Sequence, residues 1–358
     1  MTDTSRSPTS LKASDFYKKF LSESRRKRYL LGINEYSSCI AREINIDGFI
    51  DDYTESTAWM DRPIVRISAV ESDSLIVSCV TANRSVTALR RLHQAGNTTC
   101  CDYFSFADAS EGKFSQVAAV TETRKDYKEH AVEYQWIRKQ LYDEESQYVF
   151  DRIMQFRLEA DLQPMKQFEY AAERQYFEPF LQLVPGEVFV DGGGFDGLTT
   201  LEFAARCPNY SAVHFFEPSV ETLATAKNKL SCLERVYYYP LGLYDAADTL
   251  HFDSSSGSAS SICEDGEETI QVARLDDVIQ DAVSFIKLDL EGAEIAALKG
   301  MEQHILTDHP KLAVAVYHRA SDFWRIPQYI LGLRDDYKVY LRHYTEGWTE
   351  TVMFFIPR

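Results

Sequence analysis

The sequence has 358 residues, with 38 Lys or Arg against 55 Asp or Glu, so its formal net charge is −17 at neutral pH. This charge argues against a protein that coats nucleic acid or anionic lipid, because both attract clustered Lys and Arg. With 45% hydrophobic and 13% aromatic residues, the chain has enough apolar side chains to fold as two domains or one large one.

The cysteines and the apolar runs bear on the compartment. The seven cysteines are odd in number and never spaced as C-x-x-C, so neither a disulfide framework nor a structural zinc site is indicated. The polar N-terminus lacks the apolar core of a signal peptide, and no apolar run approaches the roughly 18 residues of a membrane helix. We therefore expect a soluble, cytoplasmic protein that does not insert into a membrane.

Strand and helix patterns alternate in the first third of the chain. After an N-terminal helix and tail at 1–24, runs rich in Val, Ile, Phe and Tyr alternate with helical runs and turn residues. This pattern predicts a small α/β domain with a parallel sheet over 25–115. Its predicted strands are YLLGIN, IDGFIDD, PIV, SLIVSCV and TTCCDYFSF, and its predicted helices are EYSSCIAREI and SVTALRRLHQAG.

The middle of the chain loses the strand pattern. Apolar residues recur at helical intervals over 146–157, and Pro164 and Pro179 mark boundaries, so we expect a helical connector at 116–180. The aromatic residues of these helices are compatible with a homodimer interface.

The alternation returns over 181–358 and predicts a second domain, with parallel strands followed by a closing antiparallel hairpin in the last 22 residues. The predicted strands are EVFVDGG, AVHFFEP, VYYYPLGLYD, DTLHFD, SFIKLDL and KLAVAVYH, and the predicted helices are GLTTLEFAARC, VETLATAKNKL and EIAALKGMEQHIL.

A glycine turn at 191–197 lies where a strand gives way to a helix, the usual place of a nucleotide in a doubly wound sheet. Read literally, it satisfies G-x-G-x-x-G and predicts a dinucleotide such as NAD. However, Asp191 and Asp196 would repel a pyrophosphate, whereas they suit a ligand with an ammonium and a sulfonium group. Glu217, 26 residues after Asp191, can accept both ribose hydroxyls.

These residues favour S-adenosylmethionine over NAD. The alternative is purely structural, with glycines for a tight turn and acids for helix N-termini. The predicted cofactor-binding residues are Asp191, Gly192, Gly193, Gly194, Asp196, Gly197, Glu217, Pro218, Leu241 and Asp289.

A second group of acids follows the buried strand SFIKLDL. Asp289 lies at the strand's carboxyl end and Glu291 comes just before the next helix, which is expected to begin near Gly292. If the two strands are neighbours, these acids share a crevice with the glycine turn. Glu291 could instead only complement the helix dipole.

Several motifs occur in the order and spacing typical of FkbM methyltransferases, and over about 175–358 the sequence resembles that family. The resemblance implies a class I methyltransferase fold and transfer of a methyl group from S-adenosylmethionine to a hydroxyl oxygen, often of a sugar or natural product. It also implies that Asp191, Gly193 and Gly197 form the cofactor loop and that Glu217 binds the ribose. Arg274 departs from the small residue usual there. The motifs are QYFEPF, VFVDGGGFDGLTT, FFEP, RLDDVI and FIKLDLEGAE.

The first domain, through GFIDD and PIV, is similar to the nucleotide-sugar-binding Rossmann-like domains that precede sugar-modifying enzymes. Its first turn, GINEY, has only one of the glycines of a phosphate cradle. It is therefore expected either to bind a sugar nucleotide or to be a degenerate docking module.

A sugar hydroxyl needs a base to remove its proton. His318, at the end of an apolar strand, is the first candidate because an ordinary histidine titrates near neutral pH. Asp289 is the second, either as base or by orienting His318. Alternatively, a divalent metal at Asp289 and Glu291 would lower the acceptor's pKa, although the spacing does not demand a metal. The predicted substrate-binding residues are Glu291, Ser258, Ser260, Arg342 and His343.

The leading interpretation is an S-adenosylmethionine-dependent O-methyltransferase that acts on a sugar, whether nucleotide-linked, part of a glycan or on a glycosylated natural product. Two alternatives stay open. One is a nucleotide-sugar oxidoreductase that uses NAD, and the other is a non-catalytic protein that senses S-adenosylmethionine.

Overall fold

The computed structural model describes residues 12–253, 261–262 and 268–358. Contacts within the chain divide it into two compact units. The first comprises the described part of Met1–Arg124 together with Arg152–Tyr170 and Thr345–Thr349, and the second comprises Lys125–Asp151, Ala171–Tyr344 and Glu350–Arg358. Both are α/β, which confirms the predicted fold class.

The first unit contains a six-stranded sheet in the order β3-β4-β2-β1-β5-β6, parallel except for the β3–β4 pair. Its strands are β1 (Arg28–Leu31), β2 (Gly48–Ile50), β3 (Ala58–Trp59), β4 (Arg62–Val65), β5 (Leu75–Ser78) and β6 (Cys100–Asp102). Its helices are α1 (Ala13–Ser22), α2 (Glu35–Glu43), α3 (Ser85–Gln94) and α4 (Tyr103–Ala109), with 3₁₀ turns at Ile67–Ala69 and Gln163–Gln167.

Aromatic side chains fill the core of this unit. Phe16 and Phe20 lie one turn apart on α1, are buried, and pack on Phe106 of α4. The predicted strand TTCCDYFSF is only half a strand, because β6 ends at Asp102. The Asp102 carboxylate accepts a hydrogen bond from the Ser105 backbone N–H at 2.9 Å and so caps α4, which takes over the aromatic half of the run.

The helices of the middle segment are α5 (Ala118–Gln140) and α6 (Glu144–Glu159), and the division between the units falls inside both. The domain boundaries expected from the sequence, at 24, 115 and 180, stay predictions.

The second unit contains a seven-stranded sheet in the order β16-β17-β15-β14-β7-β8-β9. The five strands from β9 to β15 are parallel, and β17 runs antiparallel to both of its neighbours, as the predicted closing hairpin requires. These strands are β7 (Val188–Gly192), β8 (Ala212–Phe216), β9 (Val236–Tyr239), β14 (Phe285–Leu288), β15 (Lys311–Ala315), β16 (Tyr337–His343) and β17 (Thr351–Pro357).

A second, four-stranded sheet in this unit has the order β10-β13-β11-β12. Its strands are β10 (Gly242–Leu243), β11 (Asp248–Asp253), β12 (Ser261–Ile262) and β13 (Glu268–Ala273). The remaining helices are α7 (Leu198–Arg206), α8 (Val220–Lys229), α9 (Leu275–Val278), α10 (Glu294–Lys299), α11 (Glu302–Thr307) and α12 (Asp322–Leu333), with 3₁₀ turns at Ala172–Arg174 and Pro179–Leu181.

The helix predicted over EIAALKGMEQHIL is in fact the two short helices α10 and α11. A Cβ on Gly300 would lie 1.9 Å from the Tyr244 carbonyl oxygen, so the break occurs where another backbone segment meets the chain. The Asp276 carboxylate then accepts hydrogen bonds from the first-turn N–H groups of Gln303 and His304, which starts α11 afresh. The first of the two helices begins at Glu294 rather than near Gly292.

Two expectations of the sequence concern the chain as a whole. All six cysteines that the structure describes are free thiols. Among the described helices, none combines the length and the apolar character needed to cross a lipid bilayer.

Candidate active site

The sheet of the second unit reverses its strand order between β7 and β14. From β7 the chain continues outward to β8 and β9, whereas β14 is followed by β15 on the other side. β7 and β14 pair in parallel, with Asp191 opposite Lys287 and Gly192 opposite Leu288. Ligands of open α/β sheets bind at the carboxyl ends of the strands at such a reversal. The glycine turn and Asp289 therefore meet there, as the sequence predicted.

Glycines are required in the turn because it packs closely on its neighbours. Gly193 has φ +70°, and a Cβ on it would lie 2.0 Å from the Asp289 carbonyl oxygen. A Cβ on Gly194 would lie 2.3 Å from the Phe215 ring. Gly197 has φ +83° and is the residue immediately before α7. The turn is thus fixed against the ends of β14 and β8, and its backbone is open to close approach by a ligand.

Asp191 was expected to face a cationic cofactor, but its carboxylate is fully buried. One oxygen lies 3.2 Å from the Lys287 ammonium, and the other accepts a hydrogen bond from the Thr200 hydroxyl at 2.8 Å. Lys287 also donates to the carbonyl oxygens of Gly192 and Gly193, at 3.2 and 2.7 Å. The expected direct contact between Asp191 and the cofactor is therefore corrected. Asp191 is paired with Lys287 instead, and this pair holds the glycine turn in place.

Lys287 was missed by the sequence reasoning. The available signal was a lysine within the otherwise apolar strand sequence FIKL. A lysine in a buried strand requires a buried anion as partner, and Asp191 is the residue opposite it in the sheet.

The other two acids near the turn differ in their surroundings. Glu217 directly follows β8 and is buried, and its carboxylate accepts hydrogen bonds from the N–H groups of Phe195 and Ser219 at 3.1 and 2.9 Å. Burial raises the pKa of Glu217. Asp196 instead forms an ion pair with Lys229 and accepts from the Leu198 N–H, so it has the structural role that the sequence left open.

Two further predicted cofactor residues flank this region. Pro218 follows Glu217, and Leu241 is half-buried between β9 and β10. Neither has a polar side chain, so their contribution would be apolar contact.

The second cluster joins the ends of β14 and β15. His318 Nε2 lies 3.2 Å from Glu291 Oε2 and 3.4 Å from Asp289 Oδ1, and the His318 side chain is only 7% exposed. Its Nδ1 lies 2.9 Å from Glu294 Oε1, which also accepts from the backbone N–H groups of Leu290 and Gly292. One histidine is thus surrounded by three carboxylates.

These carboxylates change the expected role of His318. Burial by itself lowers the pKa of His318, but the charges of Glu294, Glu291 and Asp289 outweigh it and hold the pKa well above the ordinary value. The surrounding carboxylates thus favour the protonated ring. This environment weighs against His318 as a base poised near neutral pH, and its catalytic role stays a prediction.

Residues that the sequence analysis did not single out complete the cluster. Tyr176 donates its hydroxyl hydrogen bond to Asp289 Oδ2 at 2.6 Å, and the Tyr317 hydroxyl lies 3.4 Å from Asp289 Oδ1. Glu350 accepts from the Gln175 side-chain amide at 2.5 Å, and burial followed by the charge of Asp289 raises the pKa of Glu350 to about 7. Gln175 and Tyr176 belong to QYFEPF, which was noted as a motif but given no role.

A groove of about 250 Å³ borders the cluster, with Glu291 in its wall. Three cationic side chains line it, together with the carboxylates of Asp245, Glu291 and Asp322. The cationic residues are Lys299, Arg319 and Arg325.

The structure does not bring the predicted substrate residues Arg342 and His343 into this cluster. The buried Arg342 guanidinium pairs with Asp143 at 2.7 Å and donates to the Ser146 hydroxyl at 2.8 Å. His343 Nδ1 lies 2.9 Å from the Thr351 hydroxyl on the paired strand. Binding an acidic substrate through Arg342 would break its buried ion pair, so this prediction is corrected. Ser258 and Ser260 lie outside the described residues.

Residues 191–343 match the family model described as the Methyltransferase FkbM domain. Over 98% of this chain and 94% of the other, the fold is similar to the crystal structure of Methyltransferase FkbM from Methylobacillus flagellatus KT, with a TM-score of 0.75 and 21% identity. The seven-stranded sheet, in the order β9-β8-β7-β14-β15-β17-β16, ends in an antiparallel hairpin. Together with this match, the strand order confirms the predicted class I methyltransferase fold.

More distant matches cover about half of the chain. A rRNA methylase from Streptococcus thermophilus has a TM-score of 0.34 and 16% identity, over 49% of this chain and 89% of that one. Aeropyrum pernix fibrillarin, solved with natively bound S-adenosyl-L-methionine, has a TM-score of 0.32 and 9% identity, over 48% of this chain and 67% of that one. No curated protein matches the sequence.

Proposed function

We propose that this protein methylates a hydroxyl oxygen of a sugar. The proposal starts from the match of residues 191–343 to the Methyltransferase FkbM domain. The enzyme is a methyltransferase and its cofactor is S-adenosylmethionine. One observation carries the proposal for this chain: β7 and β14 are neighbours, so the glycine turn and the cluster around Asp289 lie at one edge of the sheet.

The glycine turn and Glu217 fit the cofactor. The turn offers backbone without side chains at Gly193 and Gly194, and Glu217 offers a carboxylate one strand away, where ribose hydroxyls can donate to it. When bound, S-adenosylmethionine supplies an electrophilic methyl group on a sulfonium. We place Asp191 and Lys287 beneath this site, where they hold the turn.

The groove beside Glu291 supports a sugar-containing acceptor. Its volume of about 250 Å³ is suited to a small part of a ligand, and its carboxylates can accept hydrogen bonds from sugar hydroxyls. Lys299, Arg319 and Arg325 in the same wall would attract a phosphate group. Among nucleotide-linked sugars, glycans and glycosylated natural products, the groove therefore favours a nucleotide-linked sugar. Another phosphorylated sugar would suit it for the same reason.

The acceptor hydroxyl must lose a proton, and Glu350 is the group we assign to receive it. A base is most effective when its pKa lies near the working pH, and the pKa of Glu350 is raised to about 7. Glu350 interacts electrostatically with Asp289, the second base candidate from the sequence, whose carboxylate is occupied by Tyr176. His318 lies among three carboxylates and positions them.

The two competing functions have less support. An oxidoreductase would need a dinucleotide pyrophosphate at the glycine turn, whereas the domain over 191–343 is that of a methyltransferase. A non-catalytic sensor would not need a buried cluster of acids and a histidine beside the cofactor site.

For the first unit we favour the docking alternative over a sugar-nucleotide site. The Asn34 side chain already accepts a hydrogen bond from the Ser37 N–H at 3.0 Å and caps α2, where a phosphate would have to bind. A cytoplasmic location and a homodimer stay predictions.

Methyl transfer from labelled S-adenosylmethionine to a panel of sugar nucleotides and free sugars tests the proposal. We expect label on a sugar hydroxyl, and a fall of at least about 100-fold in kcat in Glu350→Gln with near-normal cofactor affinity. His309→Gln is the matched control, because His309 pairs with Asp336 at 3.3 Å outside the site. Binding of NADH without binding of S-adenosylmethionine would overturn the proposal.

A further inference from the structure

Three potential ligand atoms converge between the ends of β14 and β15. Asp289, Glu291 and His318 each direct one such atom toward the others, and all three atoms lie within 4.8 Å of one another. His318 Nε2 lies 3.4 Å from Asp289 Oδ1 and 3.2 Å from Glu291 Oε2. Ligand atoms at about 2.1 Å from a metal lie about 3.0 Å apart in an octahedron and about 3.4 Å apart in a tetrahedron. The two separations measured from Nε2 therefore lie in the range between the values for an octahedron and a tetrahedron.

The histidine supplies an independent observation. Its side chain is only 7% exposed, yet Nε2 makes no directed hydrogen bond, although it lies within ion-pair distance of Asp289 and Glu291. Buried polar groups in proteins almost always have hydrogen-bond partners, so an exception calls for an explanation. A cation between His318, Asp289 and Glu291 would provide the missing partner of Nε2.

The second ring nitrogen of His318, Nδ1, faces a carboxylate, as in metal-binding histidines. His318 Nδ1 faces Glu294 Oε1 at 2.9 Å, and Glu294 is itself held by the backbone N–H groups of Leu290 and Gly292. A metal-binding histidine commonly directs its second nitrogen to a carboxylate, which fixes the ring and leaves the first nitrogen for the metal. Here the first nitrogen is Nε2, the one nearest Asp289 and Glu291.

The charges also favour a cation. Three carboxylates, from Asp289, Glu291 and Glu294, face a single histidine, and Lys287 on the neighbouring strand is already paired with Asp191. Buried carboxylates that outnumber their cationic partners are costly unless a positive charge joins them.

We propose that Asp289, Glu291 and His318 bind one divalent cation, through Asp289 Oδ1, Glu291 Oε2 and His318 Nε2. The cation takes the place of any proton on Nε2, which is released to solvent, while Nδ1–H stays directed at Glu294. Two carboxylate oxygens and one imidazole nitrogen suit a cation such as Mn²⁺. Its chemical role rests on the proposed function: the cation would bind the acceptor hydroxyl and lower its pKa, so that its proton is removed more readily.

Manganese binding by the full chain tests the site without cofactor or sugar. The protein is stripped with EDTA and titrated with MnCl₂, and free Mn²⁺ is followed by electron paramagnetic resonance. We expect one Mn²⁺ per chain in the wild type. Affinity should fall about 100-fold in His318→Gln and Glu291→Gln, and about 10-fold in Glu294→Gln, which acts on the ring and not on the metal.

His309→Gln is the matched control and should bind Mn²⁺ like the wild type. Glu291 lies in a loop and is more exposed than His318, so Glu291→Gln keeps the test decisive if His318→Gln fails to fold, which a thermal unfolding curve reports. The proposal is overturned if the wild type binds no stoichiometric Mn²⁺, or if Glu291→Gln binds it as tightly as the wild type. Methyl transfer that survives EDTA would remove only the catalytic role of the cation.

Discussion

Lys287 shows how a single buried residue can stabilise a glycine turn. Its side chain is 3% exposed, and its ammonium contacts the Asp191 carboxylate together with two carbonyl oxygens of the turn. In this arrangement the Asp191 carboxylate is directed to Lys287 and Thr200. The pair stiffens the turn that we propose to hold the cofactor.

Lys287→Met tests this interpretation. Removing the ammonium leaves Asp191 charged and buried without its partner, so the free energy of unfolding should fall by about 3–5 kcal/mol, and cofactor binding should weaken. Urea denaturation and calorimetry with S-adenosylmethionine measure the two effects. The double variant Lys287→Met/Asp191→Asn should recover most of the stability, because the unpaired charge is gone. A loss below about 1 kcal/mol in the single variant would contradict a buried pair.

If Glu217 binds the cofactor ribose as proposed, we expect it to make cofactor affinity depend on pH. Burial raises the pKa of Glu217, so the folded protein holds this proton at a higher pH than an exposed glutamate does. The carboxylate accepts ribose hydroxyls best when ionised, and affinity should therefore increase as the pH rises through this elevated pKa and decrease below it. Calorimetric titrations with S-adenosylmethionine between about pH 5 and 8 measure the profile. Glu217→Gln should bind more weakly with a flatter profile, and an unchanged profile would contradict the assignment.

At the scale of elements, close backbone packing decides where glycine is needed. The turn between β7 and α7 packs on the end of β14, so that Gly193 has no room for a side chain and has a positive φ. Gly332, near the end of α12, has ordinary helical surroundings and nothing within 4 Å of an added Cβ.

These two glycines form a matched pair for mutation. Gly193→Ala should abolish measurable cofactor binding and lower the thermal unfolding midpoint, because its Cβ would overlap the Asp289 carbonyl oxygen. Gly332→Ala should leave binding unchanged and stabilise the protein by up to about 1 kcal/mol, the difference in helix propensity. Calorimetry and thermal denaturation measure both. Normal binding by Gly193→Ala would show that the turn adapts.

Elements were predicted where local patterns agree with packing and were missed where single contacts intervene. The strand SFIKLDL and the closing hairpin follow directly from their apolar residues. The run TTCCDYFSF has strand propensity throughout, but the Asp102 cap converts its second half into α4. The break at Gly300 depends on a carbonyl from another segment, which no local pattern reveals.

At the scale of the molecule, part of the net charge of −17 is concentrated in one region of the second unit. Several of its carboxylates gather where the sheet reverses its strand order, and they are not equivalent. Asp191 is paired with Lys287 and Asp196 with Lys229, whereas three carboxylates face the single His318. The total charge argues against polyanion binding, and the position of the three carboxylates points to a cation.

The sequence by itself determined the α/β fold class, the glycine turn, the acids at the strand ends and the resemblance to methyltransferases, because these follow from local periodicity and short motifs. Only the tertiary structure decided what each acid contacts. Lys287, Tyr176 and Glu350 lie 96, 15 and 159 residues from Asp191 in the sequence, yet the strand order brings all three to the same site. The electrostatic environment of a residue depends on such long-range neighbours, which is why the carboxylates that raise the pKa of His318 could not be foreseen from the sequence.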